Sequence, residues 1–270
     1  MDGLCATKTV CLSSRPNDGL EPNSHPPRGR QLPVRHASVR AVESGRLSHP
    51  PGERLPRHRH DVGFAAVVLA GGYVEAGDTG RHRVTVGDLI LHRAFESHLD
   101  EIDRRGAQVL VLPLPPGVVG VTRGRFSDPD LLARLAANDA HEAVQALAEG
   151  FQAAALVDED WPDVLARQLL ADPDLPIAAW ARATGLHPGS VARGFQQQFG
   201  VTAARFRATA RAHRALAALD DPALSLAQTA GDCGFADQAH MTRAIAALTG
   251  LTPYRLRAAR STVASPSGFF

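Results

Sequence analysis

The spacing of apolar residues changes once along this chain, from short alternating runs to runs with a helical period. Residues 36–115 contain short apolar or alternating segments separated by glycine-rich stretches. The longest of these segments are Gly63–Ala70, Leu89–His92 and Gln108–Leu114. Several strands spaced by about ten residues, with turn signals between them, predict a small barrel or a jelly roll.

Glycine pairs mark the turns that we expect in this strand region. Gly71–Gly72 and Gly77–Gly80 follow apolar runs, and Gly87–Asp88 precedes another such run. Because glycine supplies backbone angles that other residues disfavour, each of these sites is predicted to end a strand.

A helical period begins after residue 128. Asp128–Pro129 is a favourable helix start, because aspartate caps the first turn and proline suits its first position. Residues 116–173 are therefore predicted to form a helical linker. Its apolar positions include Leu131, Leu135, Val144 and Leu147. They predict either a homodimer surface or ordinary packing within the chain.

The carboxyl-terminal third of the chain carries two copies of one pattern. Each copy has a short apolar segment, a glycine, a second segment with an arginine two residues before an apolar anchor, and a closing Gly-x-Thr. Arg193 and Arg243 are 50 residues apart, and so are the closing glycines, Gly200 and Gly250. A repeat of this size is typical of repeated supersecondary units. Each copy predicts a helix-turn-helix, and a helix over about residues 203–219 joins the two.

These patterns together predict an α+β fold class. The expected segments are a disordered leader (1–35), a sensor barrel (36–115), a helical linker or dimerisation region (116–173), an all-helical domain with two helix-turn-helix units (174–260) and a tail (261–270). The leader is predicted to be disordered because it is rich in proline, glycine and polar residues and has too little apolar surface for a core.

Charge is unevenly distributed, although the whole chain has a formal net charge of only +1. Residues 174–270 contain ten arginines and five aspartates, a net charge of +5. Residues 1–173 contain 19 Lys and Arg against 23 Asp and Glu, a net charge of −4. A basic carboxyl-terminal region is typical of a protein that binds a polyanion, although arginines also solvate helix faces. Together with the repeat, this charge favours double-stranded DNA as the partner.

Cysteine content and hydropathy suggest where the protein acts. Cys5, Cys11 and Cys233 lack the spacing of a disulfide framework, which favours reduced thiols. No apolar run approaches the roughly 18 residues of a membrane span, and the amino-terminal segment lacks the apolar core of a signal peptide. We therefore expect a cytoplasmic protein with no membrane partner.

The second helix of each repeat is predicted to contact DNA through its outward side chains. Gly185 and Gly234 allow the left-handed backbone of the turn, and Phe195, Phe199 and Ile245 are expected to anchor the helices in the core. The predicted DNA-binding residues are Arg193, Ser190, Gln238, His240, Thr242 and Arg243.

Arginine is central to this prediction because its bidentate contact with guanine is the commonest specific base contact. Two alternatives remain open. Arg243 could instead pair with Asp232 or Asp237 of its own repeat, and Gln238 and His240 could be solvated without touching DNA.

Three segments of this region carry a family resemblance: Gly234–Ile245, Leu248–Arg257 and Arg211–Leu219. Through them, residues 177–260 resemble the DNA-binding domain of AraC/XylS-type transcription regulators. The resemblance implies two helix-turn-helix units that place their second helices in successive major grooves, about 34 Å apart. Met241 and Ile245 stand where family members usually carry phenylalanine.

The first repeat departs further from the family pattern. Gly189 and Gly194 are unusual in a helix that contacts DNA, because glycine lowers helix propensity. Together with the small side chain of Ala192, they leave few side chains for base contacts. We therefore expect the first repeat to contact less of the DNA sequence than the second.

Two histidine-bearing phrases carry a second resemblance. His58-Arg-His60, followed by Gly71–Gly72, and the run Gly87–His98 are similar to the two motifs of cupin barrels. The resemblance implies a site for a divalent transition metal (Zn, Ni, Cu or Fe), with His58, His60 and His98 as ligands. Since alternate residues of a strand project to one face, His58 and His60 can both point inward.

This sequence departs from the cupin pattern at one ligand. The glutamate expected near Ala65 is missing, and Glu75 or Glu96 could replace it. His92 is expected to be a strand residue with a local hydrogen bond rather than a ligand. An organic ligand facing the histidines, and a solvated basic stretch over Arg54–His60, are the alternatives to a metal site.

The leading functional hypothesis is a transcription regulator whose DNA binding responds to a small molecule or a metal ion in the barrel. Such a response requires the effector to bind two states with different affinity. One alternative is a cupin metalloenzyme with a helical appendage, and another is a DNA-binding protein without sequence preference. The sequence shows no nucleophile and base pattern, phosphate loop or paired carboxylates, so we expect no enzymatic activity.

Overall fold

The computed structural model describes residues 38–39, 41–42, 44–115, 122–154 and 160–263 of the 270-residue chain. These residues form an antiparallel sheet region followed by a helical region, which confirms the α+β fold class. The predicted leader, residues 1–35, lies outside the described residues. The predicted tail is described only over residues 261–263, which belong to a helix.

The sheet region contains nine strands among its described residues. In chain order they are β1 (Ser38–Val39), β2 (Gly45–His49), β3 (Arg54–Arg59), β4 (Phe64–Gly77), β5 (Gly80–Thr85), β6 (Asp88–His92), β7 (Ser97–Pro113), β8 (Arg123–Arg125) and β9 (Gln152–Ala153).

Nine helices are described along the chain. They are α1 (Pro129–Asn138), α2 (Ala140–Gly150), α3 (Trp161–Ala171), α4 (Ile177–Ala183), α5 (Pro188–Phe199), α6 (Ala203–Ala218), α7 (Leu226–Asp232), α8 (Gln238–Thr249) and α9 (Pro253–Val263). None of the helices in the described part of the chain has the length and apolar content needed to cross a membrane.

Two long strands, β4 and β7, organise the sheet. They pair with each other in antiparallel register, from Phe64 opposite Pro113 to Gly77 opposite His98. β7 also pairs with β2 and β3, and β4 also pairs with β5 and β6. The pairing path among the described strands runs from β1 to β9 and has two ends, so hydrogen bonds do not close these strands into the ring that a strict barrel requires.

Alternation of side chains gives the sheet two apolar faces. Phe64, Ala66 and Val68 of β4 lie on one face. Their neighbours Ala65 and Val67 lie on the other face, against α1 and α2. A strand that is buried on both sides has apolar residues in succession, which explains the unbroken apolar run that the sequence shows here.

The predicted turn at Gly71–Gly72 is wrong, because both residues lie inside β4. Register shifts flank them, between Val68 and Ala70 and between Gly71 and Tyr73. Gly71 has φ 68°, and a Cβ atom there would overlap the carbonyl oxygen of Gly106 on β7. Glycine is needed for a bulge within a strand rather than for its end.

The segment predicted as a helical linker is divided between the two regions. Helices α1 and α2 pack on the sheet, and β8 and β9 extend that sheet from β6. Val144 and Leu147 are buried in this packing, with 8% and 0% exposure. These two side chains therefore pack within the chain and do not form the homodimer surface that was one of the sequence alternatives.

Helix α3 joins the helical region instead. Leu165 and Leu169 share a core with Phe195, Phe199 and other residues of α4, α5 and α6. A second core surrounds Met241 and Ile245 and holds α6, α7, α8 and α9 together. Helix α6 therefore contributes to both cores, as expected for the helix that joins the two repeats.

The bulge at Gly71 generates a test of the sheet. Gly71→Ala adds a side chain to a left-handed residue against backbone, so we expect it to lower the free energy of unfolding by at least about 2 kcal/mol. The measurement is urea denaturation of the full chain. Gly231→Ala in α7 is the control, since no described atom lies within 4 Å of the added methyl group, and helix propensity favours alanine there by up to about 1 kcal/mol. Equal stability of the two variants would contradict this account of the bulge.

Candidate effector cavity and DNA-binding surface

The sheet region encloses a cavity of about 400 Å³, within the range of small-molecule sites. Its lining includes apolar side chains such as Leu55, Phe64 and Val111. The lining is also rich in side chains that bind protons or metals. These are His58, His60, Glu75, His92, His98 and Asp100, with Tyr73 beside them.

The structure brings together the three predicted histidine ligands. One ring nitrogen from each of His58, His60 and His98 lies within 4.8 Å of the other two. His58 and His98 are opposite each other on β3 and β7, and their ring centroids are 4.3 Å apart. The three side chains are between 3% and 9% exposed, so the expectation of a solvated basic stretch is wrong for His58 and His60.

Local contacts prepare these rings to act as ligands. His58 Nδ1 lies 3.0 Å from the carbonyl oxygen of Pro56. Because that oxygen only accepts, we assign the proton to Nδ1, which makes Nε2 the basic nitrogen. Burial and the nearby His92, His58 and His60 lower the pKa of His98 well below its ordinary value, which keeps this ring neutral at pH 7. Among the described residues, Nδ1 of His98 has no hydrogen-bond partner.

A carboxylate lies beside the histidines at one of the two positions that the sequence offered for it. Glu75, His92 and His98 place one ligand atom each within 4.8 Å of one another, and so form a second group that shares His98 with the first. Ala65 is on the opposite face of β4, in the core against α1 and α2. Glu75 lies ten residues further along the same long strand, past two bulges.

His92 is the last residue of β6, as expected of a strand residue, and its polar contact is with Glu75. His92 Nε2 is 3.4 Å from a carboxylate oxygen of Glu75. Burial lowers the pKa of His92, but Glu75, Glu96 and Asp100 together raise it above its ordinary value. Glu96 belongs to neither group of clustered donors among the described residues, and its carboxylate accepts a hydrogen bond from the backbone N–H of Arg93.

The helical region has the predicted turns at both repeats. α4 and α7 are the first helices of the two units, and α5 and α8, here called the recognition helices, are the second. Gly185 and Gly234 adopt φ 73° and 74°, the left-handed conformation expected at each turn. Phe195, Phe199 and Ile245 are completely buried, as expected for anchors.

Arg193 and Arg243 occupy the same place in their helices. Each is the sixth residue of a twelve-residue recognition helix, and both side chains are exposed. Ser190, Gln238 and His240 are exposed too, whereas Thr242 is half-buried. The six predicted DNA-binding residues thus include five that solvent reaches freely.

Neither of the two alternative partners, Asp232 and Asp237, forms an ion pair with Arg243 among the described residues. Asp237 is the N-cap of α8, and its carboxylate accepts a hydrogen bond from the backbone N–H of His240 at 2.6 Å. Within the described residues, Arg243 takes part in no ion pair. The His240 ring packs edge-on against Phe235, with centroids 5.2 Å apart, which fixes its orientation on the surface.

Gly194 has a packing reason for its place in a recognition helix. A Cβ atom there would lie 2.6 Å from the Trp161 ring of α3. The glycine lets α3 approach α5 closely, which accounts for a glycine inside this helix.

Comparison with known proteins assigns this region. Residues 180–259 match the family described as "Helix-turn-helix domain". This region is an AraC-type helix-turn-helix domain. The match covers both repeats, with α5, α6, α7 and α8 entirely inside it. No curated protein is significantly similar in sequence to the chain.

Solved structures similar to the chain include proteins described as transcriptional regulators. Unsaturated-fatty-acid-bound ToxT from Vibrio cholerae is 9% identical, covers 79% of this chain and 93% of its own, and has a TM-score of 0.37. An AraC-type transcriptional regulator from Chromobacterium violaceum is 24% identical over 38% of this chain and 91% of its own, with a TM-score of 0.34. A probable AraC family regulator from Rhodopseudomonas palustris is 22% identical over 35% and 92%, with a TM-score of 0.33. These likenesses are too distant to assign a ligand or a DNA sequence to this chain.

The sheet region contacts the helix-turn-helix domain through charged side chains that the sequence did not single out. Arg81 of β5 binds both carboxylate oxygens of Asp163 on α3, at 2.8 and 3.0 Å, and donates to Gln198 of α5 at 2.8 Å. Asp78, in the turn after β4, bonds to Arg57, to the backbone N–H of Ser97 and to His213 of α6. In the sequence, the arginines on either side of His58, Arg57 and Arg59, were the one indication that the sheet region contacts the helical region.

In the Asp78–His213 pair, each side chain shifts the pKa of the other. His213 Nε2 is 3.1 Å from an Asp78 oxygen. The pKa of His213 is raised by its hydrogen bond and charge interaction with Asp78, against the effect of burial. The pKa of Asp78 is lowered by His213, Arg57 and the Ser97 N–H, again against burial.

This pair predicts a pH dependence of stability. A raised folded-state pKa means that the His213 contribution is complete below its ordinary pKa of 6.5 and is lost as pH rises through the raised value. The Asp78 contribution is present above 3.8 and is lost as pH falls through the lowered value. Between about pH 6 and pH 8 we therefore expect wild-type stability to fall more than that of His213→Gln.

The measurement is the urea midpoint of each protein at both pH values. The difference between the two pH dependences reports the contribution of His213. His141→Gln, at an exposed position of α2, is the control and should follow the wild type. An equally steep fall in His213→Gln would show that the pair does not stabilise this contact.

Proposed function

We propose that this protein is a transcription regulator that binds a specific DNA sequence in the cytoplasm and responds to an effector in the cavity of the sheet region. The observation that carries the proposal is the AraC-type helix-turn-helix domain, whose repeats expose Arg193 and Arg243 at equivalent positions. Recognition helices contact base edges in the major groove, where arginine is the commonest specific donor to guanine.

The second repeat contributes more of the sequence specificity. Of the residues predicted to contact DNA, it exposes Gln238, His240 and Arg243, whereas the first repeat exposes Ser190 and Arg193, with Gln196 and Gln197 exposed nearer the end of its helix. Glutamine and arginine both make bidentate contacts with bases, and serine makes less specific ones.

The effector that best suits the polar side chains of the cavity is a divalent transition metal. His58, His60 and His98 provide three imidazoles, with Glu75 and His92 as further donors. Imidazole and carboxylate together suit Zn, Ni, Cu or Fe. A buried ring nitrogen without a partner, Nδ1 of His98, is costly unless something else binds it or its ring.

DNA binding is tested with sequences selected from a random pool. On the selected sequence, Arg243→Ala is expected to cost about 1–3 kcal/mol of binding free energy, because a base contact is lost. On random DNA the loss should be smaller. Arg104→Ala, an exposed arginine on β7, is the control for charge and should change neither affinity. An equal loss on both DNAs would instead make Arg243 a phosphate contact.

The metal site is tested by elemental analysis of protein purified without a histidine tag from metal-replete cells. We expect close to one divalent ion per chain in the wild type and in His141→Ala, and loss of the ion in His60→Ala, because His60 provides one of the three imidazoles that lie together. A wild-type protein without metal would contradict the metal proposal and favour an organic effector against Leu55, Phe64 and Val111. Turnover of a small molecule by the metal-loaded protein would instead favour the metalloenzyme.

A further inference from the structure

Side chains on and just after strand β3 contact two different parts of the molecule. His58 lines the cavity, as does His60 just after the strand. The guanidinium groups of Arg57 and Arg59 bind backbone atoms of the helix-turn-helix domain. Successive residues of a strand point to opposite faces, so these four residues share one rigid backbone while facing two different sites.

Each of the two arginines holds the end of a different recognition helix. Arg57 Nη1 donates to the carbonyl oxygen of Phe199, the last residue of α5, at 2.9 Å. Arg59 Nη1 donates to the carbonyl oxygen of Ala247, in the last turn of α8, at 3.0 Å. The two repeats are therefore linked to one another through a short stretch of one strand.

These contacts place positive charge at the negative C-terminal ends of both helices. The last four carbonyls of a helix lack partners inside it and form the negative end of its dipole. Neither α5 nor α8 has a basic residue in its own last turn. The sheet region supplies that charge to both recognition helices, and the face that carries Arg193 and Arg243 stays exposed.

A close contact fixes the end of α5 a second time. Gly200 is the C-cap of α5, and a Cβ atom there would lie 2.8 Å from the Leu99 side chain of β7. Gly250 is the equivalent C-cap of α8, with a similar φ of 79° against 68°. A Cβ atom at Gly250 would have no described atom within 4 Å. The sheet thus packs tightly against the first repeat and holds the second through the Arg59 hydrogen bond.

We propose that β3 couples occupancy of the cavity to the relative placement of the two recognition helices. This inference rests on the proposed function, since it describes how that effector would control DNA binding. A ligand held by His58 and His60 sets the position of β3, and Arg57 and Arg59 transmit that position to the ends of α5 and α8. Because successive major grooves fix the spacing of two recognition helices, a shift of β3 changes the affinity for DNA.

The first experiment measures the affinity of the full chain for its selected DNA with and without Zn²⁺. The variants are Arg59→Ala and, as a matched control, Arg54→Ala on the same strand, whose side chain is 79% exposed and pairs with Glu101 of the sheet. We expect Zn²⁺ to change the affinity of wild type and Arg54→Ala by about fivefold or more, in the same direction. In Arg59→Ala, Zn²⁺ should bind as in wild type but change DNA affinity by less than about twofold.

The outcomes separate this inference from the proposed function. If Arg59→Ala keeps the full response to Zn²⁺, the coupling through β3 is overturned while the regulator and its metal site stand. If Zn²⁺ binds the wild type without changing its DNA affinity, the coupling is overturned as well. If the wild type binds no Zn²⁺, the metal proposal fails, and the next experiment decides the coupling.

The second experiment needs no effector, because coupling is reciprocal and a change at the helix end must reach β3. Gly200→Ala and Gly250→Ala place the same methyl group on a left-handed C-cap and so carry similar backbone strain. Only the first presses against the sheet. We expect hydrogen exchange of β3 amides to be faster in Gly200→Ala and to stay at the wild-type rate in Gly250→Ala. Unchanged β3 exchange in both variants would overturn the proposal.

Discussion

Burial of the Asp78 carboxylate is the constraint on which the arrangement of the two regions depends. This side chain is 7% exposed, and a buried charge is costly unless it is paired and hydrogen-bonded. Its partners come from three separate elements: Arg57 on β3, the Ser97 N–H at the start of β7, and His213 on α6. Satisfying one carboxylate therefore holds the sheet region against the helix that joins the two DNA-binding repeats. The guanidinium group of Arg57, which pairs with Asp78, also binds the end of α5. The same side chain therefore neutralises a buried charge and positions a recognition helix.

The cavity holds several buried histidines, and their protonation states differ. Several imidazoles lie within a few ångströms of each other in the interior, and positive charge on all of them would be strongly unfavourable. Instead, their pKa values are shifted in opposite directions. His92 lies beside Glu75, which favours its charged form, and His98 lies among other histidines, which favour its neutral form. A cluster that mixes neutral imidazoles with a carboxylate is well suited to a cation of intermediate softness.

The two repeats show how one pattern is adapted to two environments. Both have a seven-residue helix, a left-handed glycine, a twelve-residue helix and a glycine C-cap. The first repeat is packed between α3 and the sheet, and it therefore carries Gly194 beneath Trp161 and Gly200 beneath Leu99. The second repeat has no such contact at its C-cap glycine, Gly250. The same pattern therefore tolerates close packing in one repeat and open surroundings in the other.

The sequence by itself determined the elements that depend on local chemistry: the period of the helices, the glycine turns at 185 and 234, the apolar anchors Phe195 and Ile245, and the strand alternation that turns His58 and His60 to one side. Each follows from the backbone preference or the spacing of neighbouring residues. It misassigned Gly71–Gly72 as a turn, because a glycine with positive φ has the same local signature in a bulge. Only the tertiary structure decided that Glu75 and His92 join the histidines, that α1 and α2 pack on the sheet, and that Arg57 and Arg59 reach both recognition helices. Those outcomes depend on pairing between strands and on contacts between residues distant in the sequence, up to 188 positions apart for Arg59 and Ala247, which no local pattern encodes.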